Sequence, residues 1–130
     1  MYKRQVLDGA HNPHAAEALA NTWEVEFPNQ SPIVVFAAVE GKDIVGVLDQ
    51  LSRVADSFIF TSVSSQRAIE PGLLQESLEA SLPSEIVLDF AEAYGVAKEK
   101  GKPILIAGSL FLIGQAKAFF DEGSFESSMQ

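Results

Sequence analysis

Asp8, His11, Asn12 and His14 crowd into VLDGAHNPHAAEALA, residues 6–20, between two apolar segments. A carboxylate such as Asp8 only accepts hydrogen bonds, which suits it to sugar hydroxyls or to a bound cation. Turn and capping chemistry accounts for several neighbours without any ligand. Asp-Gly makes a tight turn, Asn12 is a favoured helix N-cap, and Pro13 at the first helical position loses nothing by lacking an N–H. His11 has no such role. Beside a helix N-terminus it sits in positive potential, which favours the neutral imidazole and draws anions close. The loop therefore reads either as a binding site or as the punctuation between a strand and a helix. His11 and His14 together suggest a metal pair, but no third nitrogen ligand accompanies them and the chain has no cysteine, so no metal site is expected.

Further candidates lie after later apolar runs. In AGSLFLIG, Gly108 permits close backbone approach, and Ser109 either caps the following helix or binds a carboxylate or phosphate. Lys42 and Arg67 are isolated cations in an acidic chain, placed to neutralise a carboxylate or phosphate or simply to be solvated. The glycine spacing near residue 108 is not the dinucleotide fingerprint, and the phosphate loop G-x-x-x-x-G-K-[ST] is absent from the sequence. If this chain handles ATP, it supplies part of the site.

The elements that must position these residues alternate in type. Strand candidates at 5–7, 33–39, 57–63, 85–89 and 103–109 are each succeeded by a helical pattern. In the first helix Ala16, Leu19, Ala20 and Trp23 share a face. In the second, Asp43 is a plausible N-cap and Ile44, Val47, Leu48, Leu51 and Val54 form the stripe. A third helix has Pro71 near its first turn and Leu73, Leu74 and Leu78 facing inward; Asp89 caps a fourth, which stops at Gly101; a fifth runs to about Glu122. This order predicts a three-layer α/β/α, Rossmann-like domain around a mainly parallel sheet of five or six strands. Right-handed crossovers place every strand-to-helix loop at the carboxyl edge of that sheet, where such folds bind ligands. The loops DGAHNP, EGKD, SVSSQRA and GS are thus expected to converge.

Length and composition bound the rest. A chain of 130 residues, 47% hydrophobic, suits one compact domain. No apolar run is long enough to span a bilayer and no leader pattern opens the chain, so a cytoplasmic, membrane-free, monomeric protein is expected. A net charge of −9 repels nucleic-acid phosphates, which argues against DNA or RNA as a partner. Residues 1–5 (MYKRQ) are basic and polar and give way abruptly to an apolar strand at Val6. They are set aside as an assembly scar or linker remnant, with the natural chain expected to continue upstream. Residues 6–122 form the domain, and 123–130 are expected as a frayed tail.

The motif LDGAHNPHAAEALA resembles the signature that opens the C-terminal domain of folylpolyglutamate synthase, often bifunctional as dihydrofolate synthase, within the Mur ligase family. GKDIVGVLDQL, QRAIEPGLL and PILIAGSLFLIGQAKAFF come after it in the matching order, so the resemblance covers about residues 6–120. It implies a two-domain, ATP-dependent ligase that adds L-glutamate to a folate or dihydropteroate carboxylate through an acyl phosphate. On that resemblance an N-terminal P-loop ATPase domain, not contained in this chain, holds Mg2+ and most of the folate pocket. Asp8 would hold the ATP ribose hydroxyls, His11 would lie near the phosphates or the reacting centre, and Asn12 would order the loop. Ser109, with Arg67 and Lys42, would bind glutamate. Two other readings stand beside it: a free-standing flavodoxin-like binding or signalling module, and the C-terminal domain of another Mur-type ligase.

Overall fold

The computed structural model describes residues 5–129, with the side chains of 5–121. β1 (Gln5–Asp8), β2 (Ile33–Phe36), β3 (Ser57–Phe60), β4 (Ser84–Ile86) and β5 (Ile104–Ala107) form a single sheet in the order β1-β5-β2-β3-β4. Every pairing is parallel, which resolves the expected five or six mainly parallel strands to five wholly parallel ones. β2, β3 and β5 are buried on both faces, which is why their sequences read as unbroken apolar runs.

The connecting helices are α1 (Pro13–Glu26), α2 (Ile44–Ser52), α3 (Pro71–Glu76), α4 (Phe90–Glu99) and α5 (Leu110–Met129). Side chains alternate across each strand, so Val34, Phe36, Phe58, Phe60 and Leu105 face a core with α1, α2 and Leu74 of α3. Ile33, Val35, Ile59, Ile104 and Ile106 face the opposite core with α4 and α5. The handedness rule explains this division. The chain steps in one direction through β1, β2, β3 and β4, then reverses to insert β5 between β1 and β2. A right-handed crossover in the reverse direction must run over the other face.

Local chemistry sets the helix boundaries. Asn12, Asp43 and Asp89 each accept a hydrogen bond from a backbone N–H of the first turn they cap. Gly101 ends the α4 region at φ +71°, a conformation glycine adopts without strain. Trp23, buried on α1, stacks on Phe27 with ring centroids 4.3 Å apart and donates its indole N–H to the Gln30 carbonyl.

The structure corrects four expectations. The strands are shorter than the apolar runs. After Phe36 the chain stays buried but leaves the ladder, because the Ala38 carbonyl accepts the Ile69 N–H and Val39 bridges Ala68 in antiparallel sense. Leu73 is 55% exposed rather than inward, since the six-residue α3 buries only Pro71 and Leu74. The last helix does not end near Glu122 but carries helical bounds to Met129; a lone glycine such as Gly123 weakens a helix without terminating it. Gln5, set aside with the residues before it, is the first residue of β1, pairs with Ile104 and accepts a hydrogen bond from the Tyr94 hydroxyl. Residues 1–4 lie outside the described residues. Among the described residues no helix is long and apolar enough to cross a membrane.

Candidate functional site

β5 is flanked by β1 and β2, yet the helix after β5 lies on the opposite face from the helices after its neighbours. Adjacent strands whose connections diverge leave a crevice at their carboxyl ends, where open α/β sheets bind ligands. A cleft of about 100 Å3 occupies that position, lined by His11, Val39, Lys42, Gly108, Ser109, Leu110 and Phe111. Three loops that are distant in sequence thus meet at one place, as their positions after β1, β2 and β5 require.

The loop after β1 is held by its own side chains. Asp8 Oδ1 accepts the Ala10 N–H at 2.9 Å and Asn12 Oδ1 accepts the Ala15 N–H at 2.8 Å. Among the described residues the second carboxylate oxygen of Asp8 takes no side-chain hydrogen bond or ion pair, which leaves it for another donor. His11 Nδ1 lies 2.8 Å from the Gly9 carbonyl oxygen. A carbonyl only accepts, so Nδ1 carries a proton, and in the neutral form of the ring the lone pair is on Nε2. The ring is half-buried and lines the cleft.

The loop after β5 supplies the opposite wall. Gly108 has φ +112°, and a Cβ there would collide with the Ala37 carbonyl oxygen and lie 2.7 Å from Phe36 Cε1. Glycine is therefore required for this loop to pass over the end of β2. Ser109 is 2% exposed, and its Oγ accepts the Phe111 N–H at 3.0 Å. It is a cap, as its sequence position suggested, but an accepting hydroxyl keeps its own proton to donate. Capping and ligand binding are compatible at this residue.

The cations divide. Lys42 is exposed at the cleft and belongs to none of the three ion pairs among the described residues. Arg67 does not line the cleft. Its Nη2 donates to the Glu40 carbonyl at 2.8 Å, while its own carbonyl accepts the Glu40 N–H, so it ties the loop after β3 to the loop after β2. The structure therefore brings His11, Lys42 and Ser109 together, keeps Asp8 and Asn12 in the His11 loop, and leaves Arg67 behind the Glu40–Gly41 turn. His14 is exposed on α1. No group of three or more His, Cys, Asp or Glu side chains placed to hold a metal ion occurs among the described residues. Asp8 ends β1 and Glu40 lies in the loop after β2, two strands separated by β5, so the paired strand-end acids that a flavodoxin-like site needs are not adjacent.

Sequence reasoning passed over Val39, Leu110 and Phe111. Leu110 and Phe111 are 67% and 54% exposed. The available signal was two large apolar residues opening a helix immediately after its cap, where solvent-facing positions are usually polar.

The family model for the C-terminal domain of dihydrofolate synthetase matches residues 3–118. The chain belongs to that family. The family match also takes in Lys3, Arg4 and Gln5. A probable dihydrofolate synthetase of Schizosaccharomyces pombe is 33% identical over 84% of this chain and 29% of its own length. Among solved structures, Escherichia coli FolC in complex with ADP superposes with a TM-score of 0.83 at 25% identity, covering 95% of this chain and 30% of that one. A bifunctional folylpolyglutamate synthase/dihydrofolate synthase with Mn, AMPPNP and L-glutamate bound gives a TM-score of 0.78 at 28% identity, over 90% of this chain and 29% of that one. The chain thus spans under a third of the length of these family relatives.

Proposed function

We propose that this chain is the nucleotide- and glutamate-binding C-terminal part of an ATP-dependent ligase that joins L-glutamate to a folate or dihydropteroate carboxylate. The observation that carries the reading is the cleft at the reversal of strand order. It gathers an imidazole, an unpaired ammonium and a buried hydroxyl in a chain that belongs to the dihydrofolate synthetase C-terminal family. At about 100 Å3 the cleft falls below the roughly 300 Å3 at which small-molecule sites begin, which supports one wall of a shared site. The other wall would be a preceding P-loop ATPase domain, which would also hold Mg2+ and most of the folate pocket. ADP in the E. coli relative, and AMPPNP with L-glutamate in the other, support a nucleotide and glutamate as the ligands.

In this reading the γ-phosphoryl group of ATP passes to the folate carboxylate, giving an acyl phosphate and ADP. The glutamate amine attacks the acyl carbon, loses a proton, and the tetrahedral intermediate expels phosphate as the amide forms. This chain's residues position and neutralise rather than form covalent bonds. The free oxygen of Asp8 accepts from the ribose hydroxyls, Asn12 keeps the loop on its helix, and His11 presents Nε2 toward the phosphates or the reacting centre. Ser109 donates its hydroxyl proton to a glutamate carboxylate, Lys42 supplies positive charge, and Arg67 contributes by holding the Glu40–Gly41 turn beside Lys42. Closing the two walls over the acyl phosphate keeps water from it.

The test is ADP formation dependent on glutamate and dihydropteroate by the longer enzyme that carries this domain. His11→Ala should lower kcat. The 130-residue chain alone should fold and form no ADP; turnover by the isolated chain would overturn the shared-site reading.

A further inference from the structure

Leu110 is hard to explain as a core residue, because 67% of it is exposed. Its position is nonetheless defined. A Cβ built on Gly9 would lie 2.5 Å from Leu110 Cδ2 and 3.5 Å from Leu110 Cγ, so the leucine rests directly on the bare backbone of residue 9. Gly9 is also the residue whose carbonyl holds His11 Nδ1. Leu110 in turn adjoins Ser109, whose hydroxyl caps the same helix start. One contact thus joins the loop bearing His11 to the loop bearing Ser109, and both leucine and imidazole line the cleft between them.

We propose that Leu110 is a positioning residue: seated on Gly9, it fixes the carbonyl that orients the His11 imidazole. The absence of a side chain at residue 9 is what admits the leucine, and Gly9 does not have a positive φ. Gly9 is therefore kept for this close approach rather than for backbone freedom. The Leu110 terminus is flexible and largely solvated, so alanine at residue 9 can push it aside while the fold survives. That makes Gly9→Ala and Leu110→Ala two independent ways of breaking the same contact. The functional weight of the proposal rests on the ligase reading of His11, but its structural claim is measurable without any ligand.

The experiment is the imidazole 1H–15N spectrum of the uniformly 15N-labelled 130-residue chain, above the pH at which its histidines are protonated, with exposed His14 as internal reference. In the unsubstituted chain His11 should be chiefly the Nδ1–H tautomer. In Leu110→Ala and in Gly9→Ala the ratio of Nδ1–H to Nε2–H should fall about fivefold, the worth of one ordinary net hydrogen bond. Leu110→Met, which keeps an apolar chain over Gly9, should retain the original ratio. An unchanged tautomer in Leu110→Ala and Gly9→Ala, with folding confirmed by the remaining amide spectrum, would overturn the proposal. A shifted tautomer with glutamate ligation unaffected in the longer enzyme would leave Leu110 as the positioning residue and remove His11 from the reaction, so the two failures are told apart.

Discussion

Replacing Gly108 by alanine tests the construction of the cleft most directly. At φ +112° an L-residue is strained by about 1–2 kcal/mol. The new methyl also meets the Ala37 carbonyl oxygen, a backbone atom, and the buried Phe36 ring at 2.7 Å, and neither can swing into solvent. Overpacking of this kind costs about 1–3 kcal/mol. Together the two effects suggest about 3 kcal/mol of lost stability, which in a domain of this size corresponds to roughly 10 °C in Tm. Glycine chemistry by itself would predict the reverse elsewhere. At Gly95 in α4 and Gly114 in α5 an added Cβ meets nothing within 4 Å, and alanine there should stabilise by about 0.5–1 kcal/mol. Thermal unfolding monitored by circular dichroism, with urea midpoints at neutral pH, measures all three variants. A Gly108→Ala chain that melts with the unsubstituted one would refute the claim that the loop after β5 must pass this close to the end of β2.

Ser109→Ala should lower stability by about 1 kcal/mol through loss of the cap and, in the longer enzyme, mainly raise KM for glutamate; unchanged glutamate kinetics would count against its binding role. Tyr94 offers a pH-dependent test, because burial raises its pKa above the ordinary 10.0. The folded phenol therefore holds its proton more tightly than the unfolded one. Its contribution is intact below pH 10 and is lost as pH rises through the folded value. The stability difference between the unsubstituted chain and Tyr94→Phe, read from urea midpoints, should accordingly shrink above pH 10; a constant difference would refute it.

The helix starts at Asn12, Asp43 and Asp89 were legible because capping is local: a short polar acceptor reaches an N–H within the same turn. The parallel three-layer architecture was legible from alternation of buried runs and amphipathic stripes. Strand ends were not, since an apolar run records burial, and Ala37–Val39 stay buried while Ala38 and Val39 pair with another loop.

For the site, the sequence by itself determined which residue types were available and that their loops share one edge of the sheet. Asp8, His11, Asn12, Lys42, Arg67 and Ser109 could all be named from spacing and chemistry. Only the tertiary structure decided which of them meet. Insertion of β5 between β1 and β2 brings His11, Lys42 and Ser109 around one cleft, while Arg67, two strands further along, is taken up by the Glu40 carbonyl. Strand order is a long-range choice fixed by how both faces bury their apolar surface, and no local pattern encodes it. The same reason hid Leu110, whose partner is the missing side chain of a glycine far away in the sequence.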